Sequence, residues 1–190
     1  MKTKTMFAAL FTIGALALFG AEANAVRNPD FAKLNDKGLP AIWGVDANAG
    51  TVLKNADGSC SFKLTGRYLR QILYGTKNAL FTPKTDKYVV LTVKASGKGK
   101  LNVSYAHFTQ EIKENGKRGN KFINTTGIAT FTLSDKKEEH KVEFKIIAGE
   151  FCQMLMSVGK DSEAVIDEVI VVEKPARPPK RKNNLSMKEE

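Results

Sequence analysis

The chain has 190 residues, a formal net charge of +10 and 42% apolar residues, which suits one ordinary domain rather than two. It holds only two cysteines and two histidines, with no CxxC and no Cys/His cluster, so it offers no metal-finger or redox motif. The charge would suit an acidic polysaccharide, an anionic surface or nucleic acid, but lysines are spread over every predicted strand and basic residues cluster only at 177–182, which argues against a dedicated nucleic-acid groove.

The N-terminus carries Lys2 and Lys4, an apolar run over 7–20, and Ala23-Asn24-Ala25. A basic start, an apolar middle and small residues two apart make a secretory signal peptide over 1–25, with the exported chain beginning at Val26. The apolar run falls short of the ~20 residues that a membrane-spanning helix needs. No cysteine lies near the cut, which disfavours a lipid anchor.

Asn28-Pro29-Asp30-Phe31 opens the domain, and the turn residues of 35–40 lead into Ala41-Ile42-Trp43. Short strands are expected at 51–55 and 60–64, the second with Cys60, Phe62 and Leu64 on one face. Another follows at 68–74. The stretch 87–108 alternates apolar and polar residues on both sides of Gly97-Lys98-Gly99-Lys100, which predicts an antiparallel hairpin turning at those glycines. The polar segment 110–126, with the basic run 113–121, reads as a long loop. Strands at 129–134, 141–147, 151–158 and 164–172 complete the domain, 26–173. The Pro-containing basic tail 174–190 has too few apolar residues to order itself. Short strands, regular turn signals and no convincing helix predict an all-β fold, a two-sheet antiparallel β-sandwich.

Cys60 and Cys152 both fall in strands, and export would let a disulfide persist. Two arrangements fit. One is a bridge between the sheets, contributing about 4 kcal/mol by chain entropy; the other is a pair of buried free thiols packing as small apolar groups.

The landmarks Asn28-Pro29-Asp30-Phe31, Gly38-Leu39-Pro40, Trp43, Asp57-Gly58-Ser59, Gln71, the strand 88–94, Thr130-Phe131-Thr132-Leu133 and Val165-Ile166-Asp167-Glu168-Val169 follow one another in an order that resembles the jelly-roll carbohydrate-binding modules of the CBM4/9/22-like group, within the galactose-binding-like superfamily. The resemblance spans 28–172. It implies a jelly roll, a non-catalytic role and a polysaccharide partner. It also implies a structural Ca²⁺ held near the chain ends by a carboxylate after the opening Phe and by the Asp of the closing strand, here Asp167. Ala32 stands where the first carboxylate is common, and Asp30 is the only substitute nearby. Calcium takes several oxygen ligands, so the missing carboxylate weakens or removes the site.

Sugars present apolar C–H faces edged with hydroxyls, and a sheet that binds them needs rings and long polar side chains. Tyr68, Arg70, Ile72 and Tyr74 share one face of their strand; Tyr88, Thr92 and Lys94 share the outer face of the predicted hairpin. If these faces coincide, Tyr68, Arg70, Tyr74 and Tyr88 line a shallow groove; the alternative is tyrosines packed at the rim with their hydroxyls in water. His107, Phe108 and Gln153 are lesser candidates, and Trp43 is expected to be buried. No GxSxG, HExxH or glycine-rich phosphate loop is present, and His140 sits in a charged turn, so no catalytic residues are expected. The other reading is a secreted interaction domain that uses its basic surface for an anionic cell-surface polymer or a protein.

Overall fold

The computed structural model describes residues 24–73 and 83–174. Tyr74, the segment before Asn24 and the tail beyond Lys174 lie outside the described residues. Those residues form nine strands: β1 (Gly44–Val45), β2 (Gly50–Lys54), β3 (Cys60–Leu64), β4 (Arg67–Leu73), β5 (Lys87–Ile112), β6 (Arg118–Leu133), β7 (Glu138–Ile146), β8 (Phe151–Val158) and β9 (Glu163–Glu173). All pair antiparallel, in the order β1-β4-β8-β5-β9-β3-β2, with β6 and β7 each added to β5. No helix among them is long and apolar enough to cross a membrane.

The predicted hairpin over 87–108 is one continuous strand instead. Residues 87–98 of β5 pair with β7 and β9, and residues 99–112 pair with β6 and β8, so the two arms join different neighbours rather than each other. A period of two is the same whether a chain folds back or runs on, which is why the alternation misleads. The glycines serve a close approach instead of a turn. A Cβ on Gly97 would lie 2.1 Å from the Glu163 carbonyl oxygen, and one on Gly99 would lie 2.1 Å from Ser162 Oγ. Removing both side chains lets β5 slip past the turn into β9 as it crosses from one strand set to the other.

The predicted loop 110–126 is likewise strand. β5 runs to Ile112, turns over 113–117 with Gly116 at φ 74°, and returns as β6. Gly116 N–H donates to the Lys113 carbonyl and Lys113 N–H to that of Lys117. Asn115-Gly116 is a strong hairpin signal, overlooked because the flanking residues are polar on both faces.

A single core takes residues from both halves of β5: Val89, Leu91 and Val93 from one, Leu101, Val103 and Tyr105 from the other, packed with Phe62, Met154, Met156, Ile166 and Val169. Tyr105 ties the halves directly, its ring 5.3 Å from that of Phe144 and its hydroxyl donating to the Lys145 carbonyl at 3.1 Å. Burial raises its pKa.

The opening motif is a structural nucleus. Asn28 donates through Nδ2 to the carbonyls of Lys33 and Ala41 and accepts the Lys33 N–H, closing the loop on itself. That closure buries Phe31 against Trp43 and Phe62, at 5.3 and 5.9 Å between ring centroids. Trp43 is 6% exposed, as expected, and its indole N–H donates to the Asn28 carbonyl at 2.9 Å. Gln71 accepts the Arg27 N–H and donates to the Arg27 carbonyl, so a buried amide stands in for a neighbouring peptide. Residues just before the opening motif are held further by Asn24, whose Oδ1 accepts from Val171 N–H, and by Ala25 N–H, which donates to the Val171 carbonyl.

Cys60 and Cys152 are free thiols, so the bridge is not formed. Cys60 begins β3 opposite Lys54, whereas Cys152 sits on β8 between Leu73 and His107. Burial, with a smaller push from Glu150, raises the Cys152 thiol to about 12. At pH 8 about one part in ten thousand would be thiolate. Native protein treated with iodoacetamide at that pH is therefore expected to leave Cys152 unmodified until it is unfolded, which mass mapping reads directly.

Candidate ligand-binding face

Strands β4, β8, the C-terminal half of β5, and β6 lie side by side, and alternation sends their residues to two faces. Leu69, Leu73, Met154, Met156, Leu101 and Val103 go into the core. The residues between them form rungs across the other face. Phe151, Phe108 and Phe122 stand opposite one another on β8, β5 and β6. The next rung is Ile72, Gln153 and Ala106; the third is Arg70, Leu155 and Ser104; the fourth is Ser157, Asn102 and Thr130.

The first rung is aromatic throughout. Phe108 stacks on Phe151 with centroids 5.2 Å apart and planes 13° from parallel, and meets Phe122 edge-on at 5.7 Å. Phe151 is buried outside the main core cluster, Phe108 is half-buried, and Phe122 is 55% exposed. The cluster thus steps from a fixed base to an open ring. The other rungs supply polar groups beside it. Thr130 Oγ–H donates to Asn102 Oδ1 at 2.9 Å, and Arg70 pairs with Asp46 at 2.7 Å while remaining partly exposed. Gly44, opposite Arg70 on β1, makes room for it, since a Cβ there would come within 2.9 Å of Arg70 Cγ and Nε.

Of the residues expected from the sequence, Arg70 belongs to this face, as do Ile72, Phe108 and Gln153. Tyr68 falls at a register shift in β4, half-buried, with the Arg67 guanidinium 6.0 Å from its ring centroid. Tyr74 lies outside the described residues. Tyr88 does not join the set. It sits on the N-terminal half of β5, opposite Lys145 on β7, and is 53% exposed there. The crossing of β5 at Gly97 and Gly99 separates Tyr88 from the strands that carry Arg70. Thr92 and Lys94 share its surroundings, where charges pair: Lys94 with Glu168 at 2.7 Å, Lys141 with Glu139 at 3.0 Å, Lys145 with Asp86, and Lys174 with Glu143. The Glu168 carboxylate raises the Lys94 pKa, and the Lys141 ammonium lowers that of Glu139.

His107 points to the core side. Its Nδ1 lies 2.6 Å from Glu150 Oε2, its Nε2 lies 3.0 Å from Thr126 Oγ1, and its ring is 4.1 Å from that of Tyr105. Glu150 and His107 directly precede Phe151 and Phe108, so this part-buried pair braces the base of the aromatic rung. Sequence reasoning missed Phe122 altogether. The available signal was Asn115-Gly116, which, read as a hairpin turn, brings Phe122 back toward Phe108.

Asp167 does not fit a calcium site. Its Oδ1 accepts from Ser61 Oγ–H at 2.8 Å and pairs with the Lys137 ammonium at 3.1 Å. No group of three or more His, Cys, Asp or Glu residues converges among the described residues. Calcium binds six to eight oxygens; Oδ2 of Asp167 is buried without a hydrogen-bond partner, but one carboxylate whose other oxygen faces an ammonium does not supply such a set. A chelator is expected to leave the melting temperature unchanged, whereas Lys137→Met lowers stability by about 1 kcal/mol or less, the pair being partly exposed. Stabilisation by added Ca²⁺ would contradict this.

No known family profile matches the chain, and no curated protein matches it. Among solved structures it is similar to the CBM22-1 xylan-binding domain of Paenibacillus barcinonensis Xyn10C, with 13% identity over 83% of this chain and 98% of that one, at a TM-score of 0.47. It is also similar to TmCBM61 in complex with β-1,4-galactotriose, with 14% identity over 80% of this chain and 99% of that one, at a TM-score of 0.47. A CBM29-2 variant complexed with cellulohexaose is 14% identical over 74% of this chain and 86% of that one, at a TM-score of 0.40. These likenesses, like the resemblance in the sequence, are to carbohydrate-binding modules; at this identity no ligand is read from them.

Proposed function

We propose that this is a secreted, non-catalytic carbohydrate-binding domain, a two-sheet jelly-roll sandwich over 26–173 that holds a polysaccharide on the face carrying Phe108, Phe122, Arg70 and Gln153. The observation that carries the reading is the aromatic rung Phe151, Phe108 and Phe122, set on the side of the strands away from the core and flanked by polar rungs. An open ring beside amide, guanidinium and hydroxyl groups matches a sugar's alternation of C–H face and hydroxyl edge. His107, with a carboxylate on one nitrogen and a hydroxyl on the other, has the composition of a nucleophilic triad, but it is 5% exposed and turned to the core. The paired charges around Lys94 and Lys141 favour the ring-bearing face over a reading based on net charge.

Export is part of the proposal. The hydrogen bonds of Asn24 and Ala25 to β9 favour a cut two residues earlier than Ala25, after Ala23, with Ala21 and Ala23 as the small pair. Affinity electrophoresis against neutral and acidic polysaccharides tests the function. Retardation by a neutral glycan that persists at high salt supports it; retardation by acidic polymers alone, lost at high salt, would show binding by charge instead.

A further inference from the structure

Strand β8 ends its pairing with β5 at Phe151, opposite Phe108, but β5 and β6 pair on, from Thr109 with Lys121 to Ile112 with Arg118. The face that carries the aromatic rung therefore continues past it onto a two-stranded arm. Alternation places Gln110 with Asn120, and then Ile112 with Arg118, on the side of Phe108 and Phe122. All four are exposed, Ile112 at 79%. At the opposite end, the rung beyond Asn102 and Thr130 is Lys100 with Thr132. From Lys100 to Ile112 is about 40 Å of strand at ~3.3 Å per residue.

Charge on this face has one sign. Strands β4, β6 and β8 contain no Asp or Glu, whereas β7 carries three and β9 four. Within residues 99–112 of β5 the single carboxylate is Glu111, opposite Gly119 on the reverse of the arm. Lys113 lies over Gly119 there, since a Cβ on that glycine would come within 2.5 Å of Lys113 Cε. Glu114 belongs to the turn. Asp46 is taken up by Arg70, and Glu150 by His107 on the core side. Arg118 and Lys100 form no ion pair among the described residues, whereas Lys63, Lys94 and Lys145 each lie 3.0 Å or less from a carboxylate. Guarding the β6 edge against another strand is served by charge of either sign, so it does not explain a face cleared of carboxylates.

We infer that the polysaccharide held on this face carries carboxylate groups: its sugar rings lie on Phe108 and Phe122 while uronic-acid units meet Arg118 on the arm and Lys100 at the far end. The inference rests on the proposed carbohydrate-binding role and names the class of sugar. A guanidinium fork matches a planar carboxylate with two parallel hydrogen bonds. Gln110 and Asn120 supply amides between that fork and the rings, and Ile112 supplies apolar surface beside it. Carboxylates on the protein would repel such a chain, which accounts for their absence from the face.

The test is affinity electrophoresis of the exported chain on two matched pairs of polymers, hydroxyethylcellulose with carboxymethylcellulose, and xylan without and with glucuronate side groups. The carboxylate-bearing member of the retaining pair should bind about tenfold more tightly at low salt. At high salt that advantage should vanish while retention by the neutral member persists. Arg118→Gln with Lys100→Gln should bring the ratio of the two affinities close to one, with an unchanged melting temperature. Lys141→Gln with Lys145→Gln, which removes the same charge from the charge-paired surface, should leave the ratio as in the parent. A parent ratio near one, with the neutral polymer still retained, overturns the inference and spares the carbohydrate role. Equal loss of the ratio in both double variants overturns it too, by showing that net charge alone is sensed. Tighter retention by cellulose sulfate than by carboxymethylcellulose overturns the assignment to carboxylate. No retardation by any of these polymers removes the carbohydrate role and the inference with it.

Discussion

Phe108→Ala combined with Phe122→Ala is expected to abolish retardation of the domain by any polysaccharide that retains the parent chain. Phe122 is already largely exposed, so truncating it alone should barely change stability. In the proposed role its value would lie in surface buried against a sugar, about 1.5–3 kcal/mol for a phenyl ring, or roughly ten- to hundredfold in affinity. Phe108 does two things: it offers its own ring and supports Phe122 from the stack on Phe151. Its loss should therefore cost affinity and a modest amount of stability. Tyr88→Ala, on strands paired with β7 and β9, should leave retardation unchanged. Native affinity gels of the parent, the double variant and Tyr88→Ala, beside thermal melts, separate these effects. Equal retardation of the parent and the double variant would remove the aromatic rung from the account.

The second large effect is on folding. Phe31→Ala should destabilise the domain by about 3–5 kcal/mol, because a fully buried ring that touches both Trp43 and Phe62 leaves a cavity its neighbours cannot fill. Against a total stability of ~5–15 kcal/mol that is a large fraction. The loop 28–43 is fixed by Asn28, whose side chain closes it on Lys33 and Ala41, so relaxation around the cavity is restricted. Urea unfolding at constant slope measures the loss. A change below about 1 kcal/mol would mean that the opening motif is not the nucleus described here.

The chemistry of the opening motif was legible in the sequence: Trp43 is buried as expected, and Phe31 and Gln71 fall in landmark positions that turn out to organise packing. Strand periodicity was legible too. Its partners were not, because alternation reports which residues share a face of one strand and nothing about the strand alongside. That gap produced both larger errors. The run 87–108 alternates equally well as a hairpin and as half of a long crossing strand, so Tyr88 was grouped with Arg70 although β5 carries it to other neighbours. The segment 110–126 was read as a loop because its residues are exposed on both faces, and the pattern on which strand recognition relies requires one buried face. With that segment went Phe122, the open end of the aromatic rung. The resemblance also pointed to Asp167 as a calcium ligand; in the fold its Oδ1 meets Ser61 and Lys137, contacts that alternation along one strand does not reveal.

The most direct test is residue-resolved. In ¹⁵N-labelled domain titrated with an oligosaccharide of whichever polysaccharide retains it, amide shifts should move along 70–72, 102–108, 122–130 and 151–157. Those of 87–94, 139–145 and 168–172 should stay still. Shifts confined to the second set, around Tyr88, Lys94 and Lys141, would place the ligand on the charge-paired surface and contradict the account.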